Sequence, residues 1–350
     1  MSRTLSEAAS PADVPVRTLD DLAALSGVSR ATVSRVINGG PVSEAMRSRV
    51  LSALEGTNYR PNAAARTLAS GRSGAVGVVM HIDPHRLFRD AYFGQLLQGM
   101  SDALSEQTVG MMLWLGNRSK EETLDHILWM GLLDGVIATA HDQDDGLVDG
   151  LLASKLPTVL VGHRRADPTA SYVDVDHVHA AETITSHLVT IGRRRIAHIT
   201  GRRGTVAGED RITGYRLAME RAGLPVDGLI VDGDFNQSSG TVAAAHLIDR
   251  GIDALFCAND ATAQGALEAI RARGLRVPED VALAGFDDLD FAARMDPPLT
   301  TIRQGVRQLG AAAADTLFHL LRDPAGGPRR VILPTELVIR QSTVGGIQRA

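Results

Sequence analysis

The stretch from Ser26 to Gly40, SGVSRATVSRVINGG, limits what this chain can fold into more than any other. Ahead of it, Thr18 followed by Asp21 is a helix start, because a hydroxyl accepts from first-turn amides while a carboxylate sits at the positive helix end. Ala23, Gly27 and Val33 then have the spacing of a helix-turn-helix. They supply a small residue where two helices cross, a glycine free to take positive φ in the turn, and an apolar residue on the inner face of the second helix. Ser29 is placed to cap that second helix. Arg30, Ala31, Ser34 and Arg35 point away from the face of Val33, Val36 and Ile37, which suits a DNA major groove. A plain αα-hairpin with a solvated basic face would share that pattern. Ser43-Glu44 opens a third helix whose Met46, Val50, Leu51 and Leu54 form one apolar stripe, enough to close a three-helix core.

After it comes Tyr59-Arg60-Pro61-Asn62-Ala63-Ala64-Ala65-Arg66-Thr67-Leu68-Ala69-Ser70-Gly71. Residues 17 to 71 in this order closely resemble the DNA-binding headpiece and hinge helix of the lactose-repressor (LacI/GalR) family of bacterial transcription regulators. The resemblance implies DNA contacts from Thr18, Ser29, Arg30, Ala31, Thr32, Ser34, Arg35 and Asn38 in the headpiece, and from Asn62, Ala65, Leu68 and Ala69 in the hinge. It also implies a homodimer on a pseudo-palindromic double-stranded operator, with two recognition helices in successive major grooves and Leu68 prying open the minor groove. The hinge, residues 61 to 73, is helix-capable but too short to be stable alone, so it would fold only when something holds it.

A net charge of -5 is unusual for a DNA binder, but residues 1 to 73 hold nine Arg against six acidic residues, a balance of +3 that leaves -8 for the rest. A mildly basic head on an acidic body binds DNA locally without coating it. Residues 1 to 16 read as a disordered tail with no apolar signal-peptide core, and no apolar run reaches membrane-spanning length. A cytoplasmic protein without a membrane partner is expected. The single cysteine, Cys257 in the apolar run Ala254-Leu255-Phe256, excludes an intramolecular disulfide and reads as a core residue.

From Ala75 onward, short apolar runs (GAVGVVM, VGMMLWL, GVIATA, PTVLVG) alternate with amphipathic stretches, and the alternation resumes through IAHIT, LIV, ALFCA and VALAGF. This is βαβ punctuation, giving two Rossmann-like parallel sheets covered by helices. The strings DHVHAAETITSHL, DRITGYRLAM, CANDATAQGAL, VALAGFDD and PPLTTIRQ extend the family resemblance over this body. The expected architecture is an all-α helix-turn-helix headpiece (17 to 60) with a hinge helix, followed by an α/β two-lobe core similar to periplasmic sugar receptors (74 to 345). The resemblance puts 74 to 174 with 303 to 323 in the DNA-proximal lobe, and 175 to 302 with 324 to 345 in the distal lobe. The end of the chain, VGGIQRA, shows no heptad tail, which argues against tetramers held by a C-terminal coiled coil.

In open α/β sheets the ligand lies at the carboxyl ends of the strands. Phe235, Asn259, Asp260, Asp287 and Asp288 follow strands directly. Phe235 invites a stacking partner such as a sugar ring or a nucleobase. Asp260 and Asp288 read mainly as helix N-caps, and Asn259 is open between pinning its loop and touching a ligand. The resemblance places Asp176, Arg211 and Asp287 in the cleft as hydroxyl readers, a task that suits carboxylates and bidentate Arg. It also makes Tyr92 and Phe93 the opposite jaw. Three features depart from the family: the loop 81 to 90 is longer, His177 stands where Asn is common, and His163 follows PTVLVG. His177-Val178-His179 has no third ligand at matching spacing, so no metal is expected, and no cofactor. There is no phosphate-binding loop, no GxSxG elbow and no HExxH, so nothing nominates an enzymatic reaction. The expected function is a DNA-binding transcriptional repressor controlled by a small polyhydroxylated effector. A sugar-receptor module without DNA function, or an enzyme on the same lobes, are the alternatives.

Overall fold

The computed structural model describes residues 18–37, 40–55, 57, 59, 72–80, 82–115, 119–139, 146–163 and 169–344. The expected tail, Asn38, and the hinge residues Asn62, Ala65, Leu68 and Ala69 lie outside the described residues. The chain divides between Ser73 and Gly74 into two compact units.

In the smaller unit, α1 (Leu19–Ser26), α2 (Arg30–Ile37) and α3 (Glu44–Glu55) surround Leu22, Val33, Val36 and Val50. Thr18 caps α1 through its hydroxyl, which accepts from the Asp21 amide at 3.2 Å, while the Asp21 carboxylate accepts from the Thr18 amide at 2.9 Å. Gly27 turns the chain at φ 65°, and the Ser29 hydroxyl accepts from the Thr32 amide at 3.2 Å to start α2. The stripe expected on α3 is narrower than its sequence suggests. Val50 is buried and Leu54 packs beside it, but Met46 and Leu51 are 44% and 47% exposed. Val42 and Tyr59 from the flanking segments also pack against the small core.

The larger unit carries two parallel sheets. In the first lobe, β1 (Ala75–Met80), β2 (Gly110–Leu115), β3 (Gly135–Thr139), β4 (Thr158–Val161) and β5 (Ser171–Val175) pair in the order β5-β4-β3-β1-β2. Their helices are α4 (Pro84–Arg89), α5 (Ala91–Glu106), α6 (Lys120–Met130) and α7 (Gly146–Ala153). In the second lobe, β6 (Ile196–Ile199), β7 (Ile230–Val231), β8 (Ala254–Cys257) and β9 (Ala282–Ala284) pair in the order β7-β6-β8-β9. Here α8 (His177–Thr190) and α9 (Val206–Arg221) cover one face, with α10 (Gln237–Ile248) and α11 (Asp260–Ala272) on the other. Strand β8 shows how a two-residue period divides the core: Ala254 and Phe256 join the cluster under α8 and α9, while Leu255 and Cys257 join the one under α10 and α11.

The chain then returns through β10 (Thr301–Arg303) to α12 (Val306–Arg322), which packs on α5 in the first lobe. A Cβ on Gly99 would lie 1.9 Å from the Arg307 carbonyl oxygen, so only glycine lets these two helices approach this closely. The next strand corrects the expected lobe boundaries. Residues 324 to 345 do not all belong to the distal lobe, because β11 (Arg330–Leu333) joins β5 at the edge of the first sheet, with Val331 opposite Val173. The open edge of β5 offers backbone groups that would otherwise lack partners. Only the following β12 (Glu336–Val338) pairs antiparallel with β10.

Candidate functional site

The strands of both lobes point their carboxyl ends at one cleft, a cavity of about 110 Å³ lined from both sides. At its floor lies Arg211, on the second turn of α9 and only 3% exposed. Its guanidinium lies 3.7 Å from the centre of the Phe286 ring and 5.5 Å from that of Phe235. One terminal nitrogen donates to the Ala258 carbonyl, and another stands 3.9 Å from the Asp287 carboxylate. Burial lowers the Arg211 pKa against the opposing pull of Asp287, and burial raises the Asp287 pKa against the pull of Arg211. Both charges are thus held in a place where neither is fully comfortable, which favours an oxygen-rich ligand that can share them. Asp287 sits at φ 112°, a region side chains rarely enter, and Gln304 Nε2 donates to its carboxylate.

Behind Arg211 runs a chain of polar groups through the crossover between the lobes. Asp174, at the end of β5, accepts from the Val175 amide at 2.8 Å and the His163 amide at 3.0 Å. Its oxygens also meet His163 Nδ1 at 2.7 Å and His177 Nε2 at 3.1 Å. Burial pushes the Asp174 carboxyl up, but His177 and these hydrogen bonds outweigh it and hold it well below the usual range. Burial lowers the His177 pKa and favours its neutral form. Its Nε2–H then donates to Asp174, leaving Nδ1 to accept from Arg211 Nη2 at 3.4 Å. Two histidines from different lobes thereby share one carboxylate, and one of them orients the arginine.

Phe235 forms one wall. Its backbone takes φ 54°, and Asn259 Nδ2 donates to its carbonyl at 3.1 Å. The ring lies so close over Gly201 that a Cβ there would come within 1.9 Å of Phe235 Cζ. Tyr92 and Phe93 open α5 on the opposite wall, with ring centres 5.3 Å apart and planes perpendicular. The cleft therefore brings together Tyr92, Phe93, Arg211, Phe235, Asn259 and Asp287 as the sequence suggested.

Other placements differ. Asp176 is exposed and caps α8 by accepting from the His179 amide at 2.9 Å. It does not line the cleft; Asp174 and His177 do. Strand β5 ends at Val175, so Asp174 keeps the direction the sheet gives it, while Asp176, beyond the strand, turns to cap the helix. Nor do Asp260 and Asp288 cap helices. Asn259 takes the cap of α11, accepting from the Thr262 amide at 2.9 Å. Asp260, fully buried, accepts from the Thr301 hydroxyl at 2.6 Å and the Leu289 amide at 2.8 Å. Asp288 accepts from Arg303 and Arg340, each at 2.7 Å, and so ties the end of β9 to two strand connections. The long loop 81 to 90 contains α4, whose Arg86 also lines the cleft and which the sequence reading passed over. The amino end of α9, with Thr205, Val206 and Ala207, was likewise missed. Among the described residues, no group of three or more His, Cys, Asp or Glu is arranged to hold a metal ion.

On the headpiece, Arg30, Ala31 and Arg35 stand exposed on α2, with Ser34 half-buried and Ser29 exposed just before it. Arg30 reaches Asp20 at 3.7 Å, with both side chains about two-thirds exposed. Thr32 does not share this face. It is buried beside Val33, its hydroxyl 2.9 Å from that of Ser29, because a residue two past Arg30 turns toward the core.

Residues 18–62 match the bacterial regulatory proteins of the lacI family, and residues 185–343 match a periplasmic binding protein-like domain. The chain is 38% identical over 332 residues to the HTH-type transcriptional regulator CelR of Thermobifida fusca, covering 93% of this chain and 98% of that one. It is 31% identical to the ribose operon repressor of Escherichia coli K12, covering 93% of this chain and 99% of the repressor. Among solved structures, it superposes on a CelR–cellobiose complex with a TM-score of 0.74 at 37% identity, covering 93% of this chain and 99% of that one. It superposes on a lac repressor dimer bound to operator and an anti-inducer with a TM-score of 0.83 at 29% identity, covering 94% of this chain and 99% of that one. With a helix-turn-helix unit and a two-lobed cleft on one chain, this protein belongs to the LacI family of bacterial regulatory proteins and is a DNA-binding transcription regulator, not an enzyme.

Proposed function

We propose that this regulator is a cytoplasmic repressor that binds a pseudo-palindromic operator as a homodimer and responds to an uncharged sugar held between its lobes. The observation that carries the effector reading is the buried Arg211–Asp287 pair, flanked by Phe235 and Tyr92 in one cleft. Planar charged groups supply the co-planar hydrogen bonds that vicinal hydroxyls need, and aromatic faces stack on sugar rings. The similarity to a cellobiose-bound regulator supports the same class of ligand. On the edge of the first sheet, β2 exposes Met111 and Leu113, apolar surface suited to a second copy of the chain. No helix among the described residues is long and apolar enough to cross a membrane.

Selection of the full chain on randomised duplex DNA tests the DNA half of this reading and should enrich a two-fold pseudo-palindrome. On that operator, Arg30→Ala and Arg35→Ala should each weaken binding by about 1–3 kcal/mol and relax the preference at one position per half-site. An equal loss on every sequence would make both residues phosphate contacts. Titrating cellobiose or ribose into the operator complex should release the DNA, and tighter binding instead would make the ligand a co-repressor.

A further inference from the structure

Two observations about the cleft are left over once Arg211 and Asp287 have been given their roles. The first is a bridge across its mouth. Arg86, on the six-residue helix α4 of the first lobe, places Nη1 3.3 Å from the carboxylate of Asp234. Asp234 lies in the second lobe just ahead of Phe235, 148 residues further along the chain. The second concerns buried polar atoms without a partner. Among the described residues, three of these belong to side chains that line this one cleft: Arg86 Nε, Thr139 Oγ1 and Arg211 Nε. Arg86 and Thr139 come from the first lobe and Arg211 from the second. A buried donor without an acceptor is unfavourable, and native structures keep such atoms where a ligand or an ordered water completes them.

We propose that Arg86 is an effector-binding residue that also closes the cleft: its terminal nitrogen ties the two walls together through Asp234, and its Nε donates to an oxygen of the bound effector. This inference rests on the cleft being the effector site. The helix that delivers Arg86 is built for the purpose of fixing its position. Asp83 caps it by accepting from the His85 amide at 2.8 Å, Pro84 occupies its first turn, and Leu87 anchors it in the core of the first lobe. A fixed backbone leaves the guanidinium a short reach, so the fork can serve Asp234 with one edge and the cavity with Nε.

The same geometry specifies the chemistry of the ligand. Arg86 faces Asp234 and Arg211 faces Asp287, so both of these guanidiniums already have a carboxylate opposite them. The donors they leave over suit neutral acceptors, the hydroxyl and ring oxygens of a sugar, rather than a phosphate or carboxylate that would need an uncompensated cation. Oxygens placed between Arg86 on one wall and Arg211 on the other would be gained only in the closed arrangement, so ligand binding and lobe closure become one event.

The test uses the full chain in two measurements. Spin labels at the exposed positions Gln98→Cys and Val242→Cys, one per lobe, report the distance between lobes without any ligand. Labelled chain is diluted into excess unlabelled chain so that each pair lies within one protomer, and Cys257 is fully buried and stays unlabelled. Arg86→Ala and Asp234→Ala should each broaden the distribution toward longer distances, and the exchanged pair Arg86→Asp with Asp234→Arg should restore it. Arg86→Lys keeps the charge and the tie but lacks Nε. It should therefore keep the wild-type distances while binding cellobiose, measured by calorimetry, about tenfold more weakly. Unchanged distances in both alanine variants would overturn the tie, and wild-type cellobiose affinity in Arg86→Lys would overturn the role of Nε. Glucose 6-phosphate binding more tightly than cellobiose or ribose would overturn the neutral-ligand assignment. If none of these three probes binds the wild-type chain, the sugar reading of the cleft fails and the role of Nε with it, while the distances still judge the tie.

Discussion

Replacing Asp287 separates two jobs that this residue performs at once. Its carboxylate faces Arg211 at 3.9 Å, with both side chains about 4% exposed, and its backbone is held at φ 112°. In Asp287→Ala the guanidinium keeps its hydrogen bond to the Ala258 carbonyl but loses its counter-charge. Breaking a fully buried pair costs about 3–5 kcal/mol. The separation exceeds a close hydrogen bond and burial already raises the Asp287 pKa, so the low end applies, about 3 kcal/mol. Alanine also keeps the strained backbone. Asp287→Gly removes the same carboxylate but relieves the strain, worth about 1–3 kcal/mol, less about 1 kcal/mol for the extra freedom of glycine in the unfolded chain. The glycine variant should therefore be the more stable of the two by about 1 kcal/mol, with both less stable than the wild type. Urea unfolding followed by far-UV circular dichroism reads these differences. In operator-binding assays both variants should hold DNA without ligand and fail to respond to effector, since the headpiece is a separate unit. Equal stability of all three chains would show that the carboxylate does not balance Arg211. A glycine variant less stable than the alanine variant would refute the argument from backbone strain.

Gly201→Ala puts a methyl 1.9 Å from Phe235 Cζ and must swing the ring out of the cleft wall; effector affinity should fall about threefold to tenfold with little loss of thermal stability, and an unchanged affinity would remove Phe235 from the site. His198 lies fully buried between Phe256 and Tyr215, and burial lowers its pKa to about 3. Its unfolded value is near 6.5, so the unfolded chain binds the extra proton first and this group's contribution to stability is lost as pH falls from about 6.5 toward 3. Between pH 7 and 4.5 the loss from this group is about 2–3 kcal/mol. His198→Phe should flatten that part of the pH dependence in urea unfolding, and an unchanged slope would mean the imidazole is not the group responsible.

Much of this protein could be read from local chemistry. Thr18 with Asp21, Gly27 at positive φ and Ser29 before α2 act within a few residues of themselves, so the helix-turn-helix was legible before any packing was known. The βαβ alternation was legible for the same reason, because a sheet buried on both faces needs unbroken apolar runs, as β1 and β3 show. Phe235, Asn259 and Asp287 could be nominated because strand ends in such sheets face a ligand, and Arg211 because the family resemblance places it in the cleft.

Tertiary structure decided what depends on direction and on partners distant in sequence. Asp174 rather than Asp176 enters the cleft, because the end of β5 turns one inward while the other caps α8. Asp260 turns to Thr301 and Leu289, and Asp288 to Arg303 and Arg340, partners that lie 15 to 52 residues further along the chain. Strand β11 finds an open edge on the first sheet that no local pattern announces. The tie from Arg86 to Asp234 spans 148 residues. Caps, turns and periodicity are properties of neighbours along the chain, whereas the balance of a buried charge is set by whatever the fold brings against it, and only the folded chain specifies that.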